Sequence, residues 1–302
     1  MTIDIKGHSG CNIDIIENDN QLLIRKSSNS KKYLERLYQQ GLKQQNDKAA
    51  LNCDVKVPKI HELIKGDDEA YIIMDYIYAK NFVDYFEQAS RQDIDHFIKT
   101  FEQYINNEIE QCTVENVSKD IFVNKMESII ENCKKNDILT TNALVNMYVP
   151  GKEIVDSVNN VLEKSLNVFK NLPNEIRIPI GVCHGDLTFS NILFTSNNFY
   201  FIDYLDSFIE TPIQDIVKLR QDTKYFWSTM MYNKKYDSIR LKIIFDYIDK
   251  KIDEYFSDFE YYKDTYNILQ LMNILRILPY VKEVKVRDFL VKVINSLLKN
   301  YA

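Results

Sequence analysis

Two short apolar runs, separated by four turn residues and closely flanked by polar groups, constrain this chain more than any other feature. Ile192-Leu193-Phe194 and Phe199-Tyr200-Phe201-Ile202 are strand-like, and Thr195-Ser196-Asn197-Asn198 between them is turn chemistry, so the segment predicts a hairpin. Asn191 stands just before the first strand and Asp203 just after the second, and a hairpin brings those ends together. Asp186 lies on the loop leading in. A carboxylate and an amide oxygen suit a hard cation such as Mg2+, held by one or two protein oxygens plus substrate phosphates. A nearby carboxylate that is not a ligand can orient a hydroxyl and accept its proton. That set of groups fits phosphoryl transfer, where positioning and charge neutralisation supply most of the catalysis.

The loop itself reads H-G-D-L-T-F-S-N over residues 184–191. It resembles the catalytic loop H-R-D-x-x-x-x-N of protein kinases, with the Asp-to-Asn spacing kept. Glycine at 185 in place of arginine is the form found in aminoglycoside phosphotransferases and choline/ethanolamine kinases. Ile202-Asp203-Tyr204 stands where kinases carry D-F-G. The resemblance implies that Asp186 is the catalytic base and that Asn191 and Asp203 are Mg2+ ligands, with Asp203 bridging the nucleotide phosphates. Asp215, in Pro212-Ile213-Gln214-Asp215-Ile216, resembles the family's second Asp, which opens a helix and braces the loop. His184 reads as a buried hydrogen-bonding residue that holds the loop, and Cys183 as core. The implied fold is α+β and two-lobed, protein-kinase-like: a small β-rich N-lobe over residues 1–77 and a large, mainly helical C-lobe over 78–302.

Size and composition agree with that outline. A chain of 302 residues can bury one large core or two lobes. With 45% hydrophobic and 27% charged residues it has the balance of a soluble globular protein. A net charge of −6 argues against general nucleic-acid binding. The five cysteines are scattered and lack C-x-x-C spacing, which predicts free thiols in a reducing cytoplasm. The start MTIDIKGHSG has no signal-like apolar run, and no apolar stretch approaches the ~20 residues that span a bilayer, so no membrane insertion is expected.

Residues 2–6, 12–17 and 21–25 alternate like three strands of a meander. In the kinase-like reading the loop 7–11 covers the nucleotide phosphates, with backbone N–H groups at Gly7 and Gly10 and the hydroxyl of Ser9. Lys26, at the end of the third strand, is the preferred phosphate-holding cation, with Arg25 as the alternative register. Residues 28–30 signal a helix start and 31–45 a helix. Its acidic partner for the lysine is open between Glu35 and a replacement by Gln40 or Gln44. Residues 55–60 and 69–74 read as two more strands. The stretch 74–77 resembles the hinge that meets an adenine edge, with Met74 and Tyr76 as contacts, and does not distinguish ATP from GTP.

From 81 to about 172 the pattern is helical. Only eleven residues separate Asp203 from Asp215. That gap leaves no room for the long activation segment and A-P-E motif of a protein kinase, so a small-molecule acceptor is favoured. Pro212 suits the first turn of a helix running to about Met231. Asp206, Asp222 and Trp227 are candidates for the acceptor pocket, since an acid with aromatics suits an ammonium group. The alternative reading pairs Asp222 with Lys218 and leaves the aromatics in the core. The resemblance thus implies an ATP- or GTP- and Mg2+-dependent phosphotransferase acting on a hydroxyl of a small molecule, an amino-alcohol such as choline or ethanolamine, or a sugar. A non-catalytic nucleotide-binding module and a protein kinase are the competing readings.

Overall fold

Apolar alternation and a tight turn start the fold. The computed structural model of the protein describes residues 11–140 and 158–301. The expected strand at 2–6 and the glycine loop with Gly7, Ser9 and Gly10 lie outside the described residues. Strands β1 (Asn12–Asn18) and β2 (Gln21–Ser28) pair antiparallel from Asn12↔Ser27 to Asn18↔Gln21. Asp19 and Asn20 between them have φ of 49° and 62°, a left-handed turn that these two residue types tolerate. Helix α1 (Lys31–Gln45) follows, then β3 (Val55–Lys56), β4 (Ile60–Lys65) and β5 (Ala70–Asp75). The sheet order is β1-β2-β5-β4, and every pairing is antiparallel. Leu34 and Leu37 of α1 pack with Ala70, Ile72 and Met74 of β5 to form the core beneath it. The single strand expected over 55–60 is two elements instead. Pro58 has no N–H to give a ladder, and the chain leaves one pairing and enters another around it.

After α2 (Phe82–Phe86) comes α3 (Arg91–Ile109), opened by a capping box between Ser90 and Asp93. The next segment holds β6 (Thr113–Ser118), α4 (Asp120–Cys133), α5 (Asp137–Thr140), α6 (Val158–Lys170) and β7 (Glu175–Ile180). β6 and β7 form a two-stranded sheet, which corrects the all-helical expectation for this region. β6 escaped notice because only Val117 of its six residues is buried. Then come β8 (Ile192–Phe194), β9 (Phe199–Phe201), α7 (Pro212–Tyr225), α8 (Trp227–Met230), α9 (Ser238–Phe256), α10 (Tyr262–Leu275) and α11 (Val284–Leu298). The helix expected to reach Met231 breaks at Phe226, which adopts φ 60° and returns its N–H to Asp222 O at 2.8 Å.

The chain divides into two compact units, Met1–Cys112 with Ile180–Tyr255, and Thr113–Pro179 with Phe256–Ala302. In the first unit β3 pairs in parallel with β9, so β3, β9 and β8 form a three-stranded sheet beside the four-stranded one. Phe86, Phe97, Phe189, Phe194 and Phe199 are all but fully buried there. They lock the hairpin to α2 and α3, with Phe86–Phe189 at 5.1 Å and Phe97–Phe199 at 5.2 Å between ring centroids. Each such ring contributes about 1.5–3 kcal/mol by burial. In the second unit Phe122 stacks on Phe169, and buried Arg287 donates to Ile138 O at 2.9 Å. Among the described residues no helix is long and apolar enough to cross a membrane.

Candidate active site

The β8–β9 hairpin pairs Ile192↔Phe201 through Phe194↔Phe199. Beyond its open end Ile202 N–H donates to Asn191 O at 3.0 Å, which puts the residues before and after the strands side by side. Asn191 closes a short 3-10 turn (Phe189–Asn191) and donates its Nδ2 to Asp186 O at 2.7 Å and Asp186 Oδ2 at 3.1 Å. Asp203 takes a left-handed backbone, φ 62°, a conformation that costs a side-chain-bearing residue about 1 kcal/mol or more. Its Oδ1 accepts from Lys26 Nζ at 2.8 Å. Lys26 projects from β2, is 3% exposed, and also donates to Gln40 Oε1 of α1 at 3.3 Å. Gln40 Nε2 is buried with no hydrogen-bond partner among the described residues.

His184 anchors the loop from beneath. Its Nδ1 accepts from Asp186 N–H at 3.2 Å, so Nε2 carries the proton and donates to Ile202 O at 2.9 Å. Burial pushes its pKa down to about 3, which keeps the ring neutral. Gly185 has φ +87°, and a Cβ there would stand 2.0 Å from Leu205 O, so only glycine fits.

Helix α7 meets this loop along one stripe. Thr211 caps it and Pro212 takes its first turn. Asp215 accepts His184 N–H at 2.5 Å and Gly185 N–H at 2.7 Å. Three residues on, Lys218 Nζ lies 2.8 Å from Asp186 Oδ1. Asp222, a turn further, accepts Phe189 N–H at 2.6 Å, Ser228 N–H at 2.7 Å and Ser228 Oγ at 2.9 Å. Burial raises the Asp222 carboxyl to about 6, against the lowering effect of those donors.

Behind Asp215 lies a buried polar cluster. Glu108 of α3 is 2% exposed, and burial with the neighbouring Asp215 and Asp47 pushes its pKa far up. Asp215 has both oxygens on backbone N–H donors, so the proton of this pair resides on Glu108. Tyr104 and Tyr204 both donate to Asp47 Oδ2. Lys43 of α1 donates to Leu205 O and to Glu210 Oε2, each at 2.6 Å, tying down the segment after Asp203.

Comparison with known proteins gives the family and the fold. The model of APH, the phosphotransferase enzyme family, matches residues 42–237. The chain belongs to the APH phosphotransferase family. Its fold is that of solved APH and choline kinase structures. A thermostable aminoglycoside phosphotransferase APH(4)-Ia aligns over 100% of this chain and 95% of its own, at 8% identity and TM-score 0.57. Choline kinase LicA from Streptococcus pneumoniae aligns over 100% and 94%, at 12% identity and TM-score 0.54. Aminoglycoside 2'-phosphotransferase-IIIa in its GDP complex aligns over 99% and 90%, at 14% identity and TM-score 0.55. Among curated proteins no sequence matches significantly.

For this APH-family chain the structure brings Asp186, Asn191, Asp203, His184, Asp215 and Lys26 into one neighbourhood. Arg25 points elsewhere and pairs with Glu69 at 2.5 Å. Glu35 pairs with Lys65 at the surface, so the residue of α1 that reaches Lys26 is Gln40. Met74 is buried in β5, and Tyr76 follows the strand with its N–H on Leu22 O at 3.3 Å. Asp222 is not a pocket wall: it is 0% exposed and its oxygens are taken by Phe189 and Ser228. Nor does it pair with Lys218, which reaches Asp186. Asp206 is exposed on the segment after Asp203, and half-buried Trp227 opens α8. Sequence reasoning passed over Lys43 and Glu108, and it offered Lys218 only as a partner of Asp222, not of Asp186. Only Lys218 carried a signal, its position three residues after Asp215 on the same helix face.

Proposed function

We propose that this chain transfers the γ-phosphoryl group of ATP or GTP, with Mg2+, to a hydroxyl of a small molecule, an amino-alcohol such as choline or ethanolamine, or a sugar. The observation that carries the reading is the convergence of Asp186, Asn191 and Asp203 at the end of one hairpin, with Lys26 facing Asp203. The donor set fits Mg2+: Asn191 has turned its amide nitrogen to Asp186, leaving Oδ1 as the outward oxygen, and Asp203 spends one oxygen on Lys26 and is 34% exposed. Bound there, Mg2+ would neutralise charge on the transferring phosphates. Lys26 holds phosphate oxygens from the sheet side, steadied by Gln40, whose free Nε2 adds a donor. Asp186 orients the acceptor hydroxyl and receives its proton on the carboxylate.

The segment after Asp203 favours a small acceptor over a peptide. Leu205 N–H is bound to His184 O at 2.9 Å, Leu205 O to Lys43, and Ser207 N–H to Glu210 Oε1 at 2.5 Å, so these residues are folded back on the loop. GDP in the 2'-phosphotransferase-IIIa structure supports testing both nucleotides. With Asp222 committed to backbone donors, the residue that pointed to a quaternary amine drops out, and sugars stand level with amino-alcohols.

The test is nucleoside diphosphate release across amino-alcohols, sugars and aminoglycosides, with Asp186→Asn as control. One acceptor should stimulate release in the wild type. Asp186→Asn should lower turnover by about 100-fold or more while Mg-nucleotide binding persists. Tight Mg-nucleotide binding with no acceptor turnover would favour the binding module, and phosphorylation of casein alone would favour a protein kinase.

A further inference from the structure

We propose that Lys218 is a positioning residue for Asp186, an inference that rests on the phosphotransferase reading above. The two oxygens of Asp186 are each held by a different donor. Oδ2 takes Asn191 Nδ2 at 3.1 Å and Oδ1 takes Lys218 Nζ at 2.8 Å. One donor leaves a carboxylate free to swing about its side-chain torsions, whereas two donors from opposite sides fix the plane in which it can meet a hydroxyl. Asn191 sits within the loop and moves with it. Lys218 comes from α7 and refers the carboxylate to a rigid helix.

The loop's path does not need this lysine. Asp215 already fixes the backbone at residues 184 and 185, and Asp222 fixes it at 189, on either side of Asp186. Lys218 therefore acts on the Asp186 side chain and leaves the course of the chain to its two neighbours. Its side chain is only 15% exposed. An ammonium taken that far out of water is costly unless paired, and an apolar residue would fill the same space without that cost. Asp215 and Asp222, the acids on its own face, have their oxygens on backbone donors, which leaves Asp186 as its counter-charge.

The test compares wild type, Lys218→Met, Lys218→Arg, Asp186→Asn and the double variant Lys218→Met with Asp186→Asn. Acceptor-free hydrolysis of labelled Mg-ATP and Mg-GTP is followed together with transfer to the acceptor panel. Lys218→Met should lower kcat by about 30- to 100-fold with nucleotide KM within about threefold of wild type. Its melting temperature should stay within about 2 °C, as for a residue that does not carry the fold. Lys218→Arg should keep most of the activity. The double variant should be no slower than Asp186→Asn, because the lysine acts through that carboxylate. Lys218→Met at wild-type kcat, losses that multiply in the double variant, or a lowered melting temperature in both single Lys218 variants would each overturn the role. A wild type with no turnover of either kind would overturn the phosphotransferase reading itself, a result distinct from any difference among variants.

Discussion

At the scale of single residues, the carboxylates around the loop separate by what their oxygens touch. Asp222 looked like a ligand-facing acid in the sequence, yet it serves as a bracket between Phe189 and the start of α8. Asp222→Ala would strand two buried N–H donors, and unfolding measurements should show a loss of about 2–4 kcal/mol, more than for Asp222→Asn. Glu108 gives a pH dependence. Its folded-state pKa is raised well above the ordinary 4.5, so the folded protein keeps a proton that the unfolded chain releases. That contribution is fully present below about pH 4.5 and is lost as pH rises toward and through the folded pKa, with a slope of up to ~1.4 kcal/mol per pH unit. Melting temperature should therefore decline less between about pH 5 and pH 8 in Glu108→Gln than in wild type. The motif spacing made Asp186, Asn191 and Asp203 legible, and the strand register offered Lys26. Lys218 and Glu108 were not legible as site neighbours, because a helix face says which way a residue points and not which loop it will meet.

At the scale of elements, hairpin and helix limits were largely written in local chemistry. The turn at 195–198 closes through Thr195 and Asn198, as its composition suggests. α1 begins and ends where its periodicity does. The failures have local causes that only tertiary contacts reveal. Pro58 divides an apparent strand, β6 exposes nearly all its residues, and α7 stops at Phe226 because Asp222 turns to Ser228. Gly185 joins loop and segment at this scale. Gly185→Ala would press a Cβ against the backbone at Leu205 and force a side chain into φ +87°. We expect about 3 kcal/mol of destabilisation, by denaturant titration, together with loss of turnover.

At the scale of the molecule, the order of elements was legible from the hairpin outward, whereas the grouping into two compact units was not, since it depends on pairings distant in sequence such as β3 with β9. A nucleotide that binds only the folded protein should stabilise it by about 2.7 kcal/mol at a hundredfold excess over Kd. Thermal shift with Mg-ATP or Mg-GTP should show that rise in the wild type, and Asp203→Ala should lose most of the Mg2+-dependent part. The stripe on α7 also bears on how this gene can change in length. Asp215, Lys218 and Asp222 match successive points of the loop only because helical pitch and loop path advance together. One added or deleted codon between 215 and 222 would rotate the far end by ~100° and slide it by ~1.5 Å, uncoupling half the loop at a stroke. The exposed turn residues Ser196 and Asn197 face no such phase constraint. Tags, permuted termini and natural insertions belong there, on the outer turn of the same hairpin, while the helix behind it is closed to any change in count.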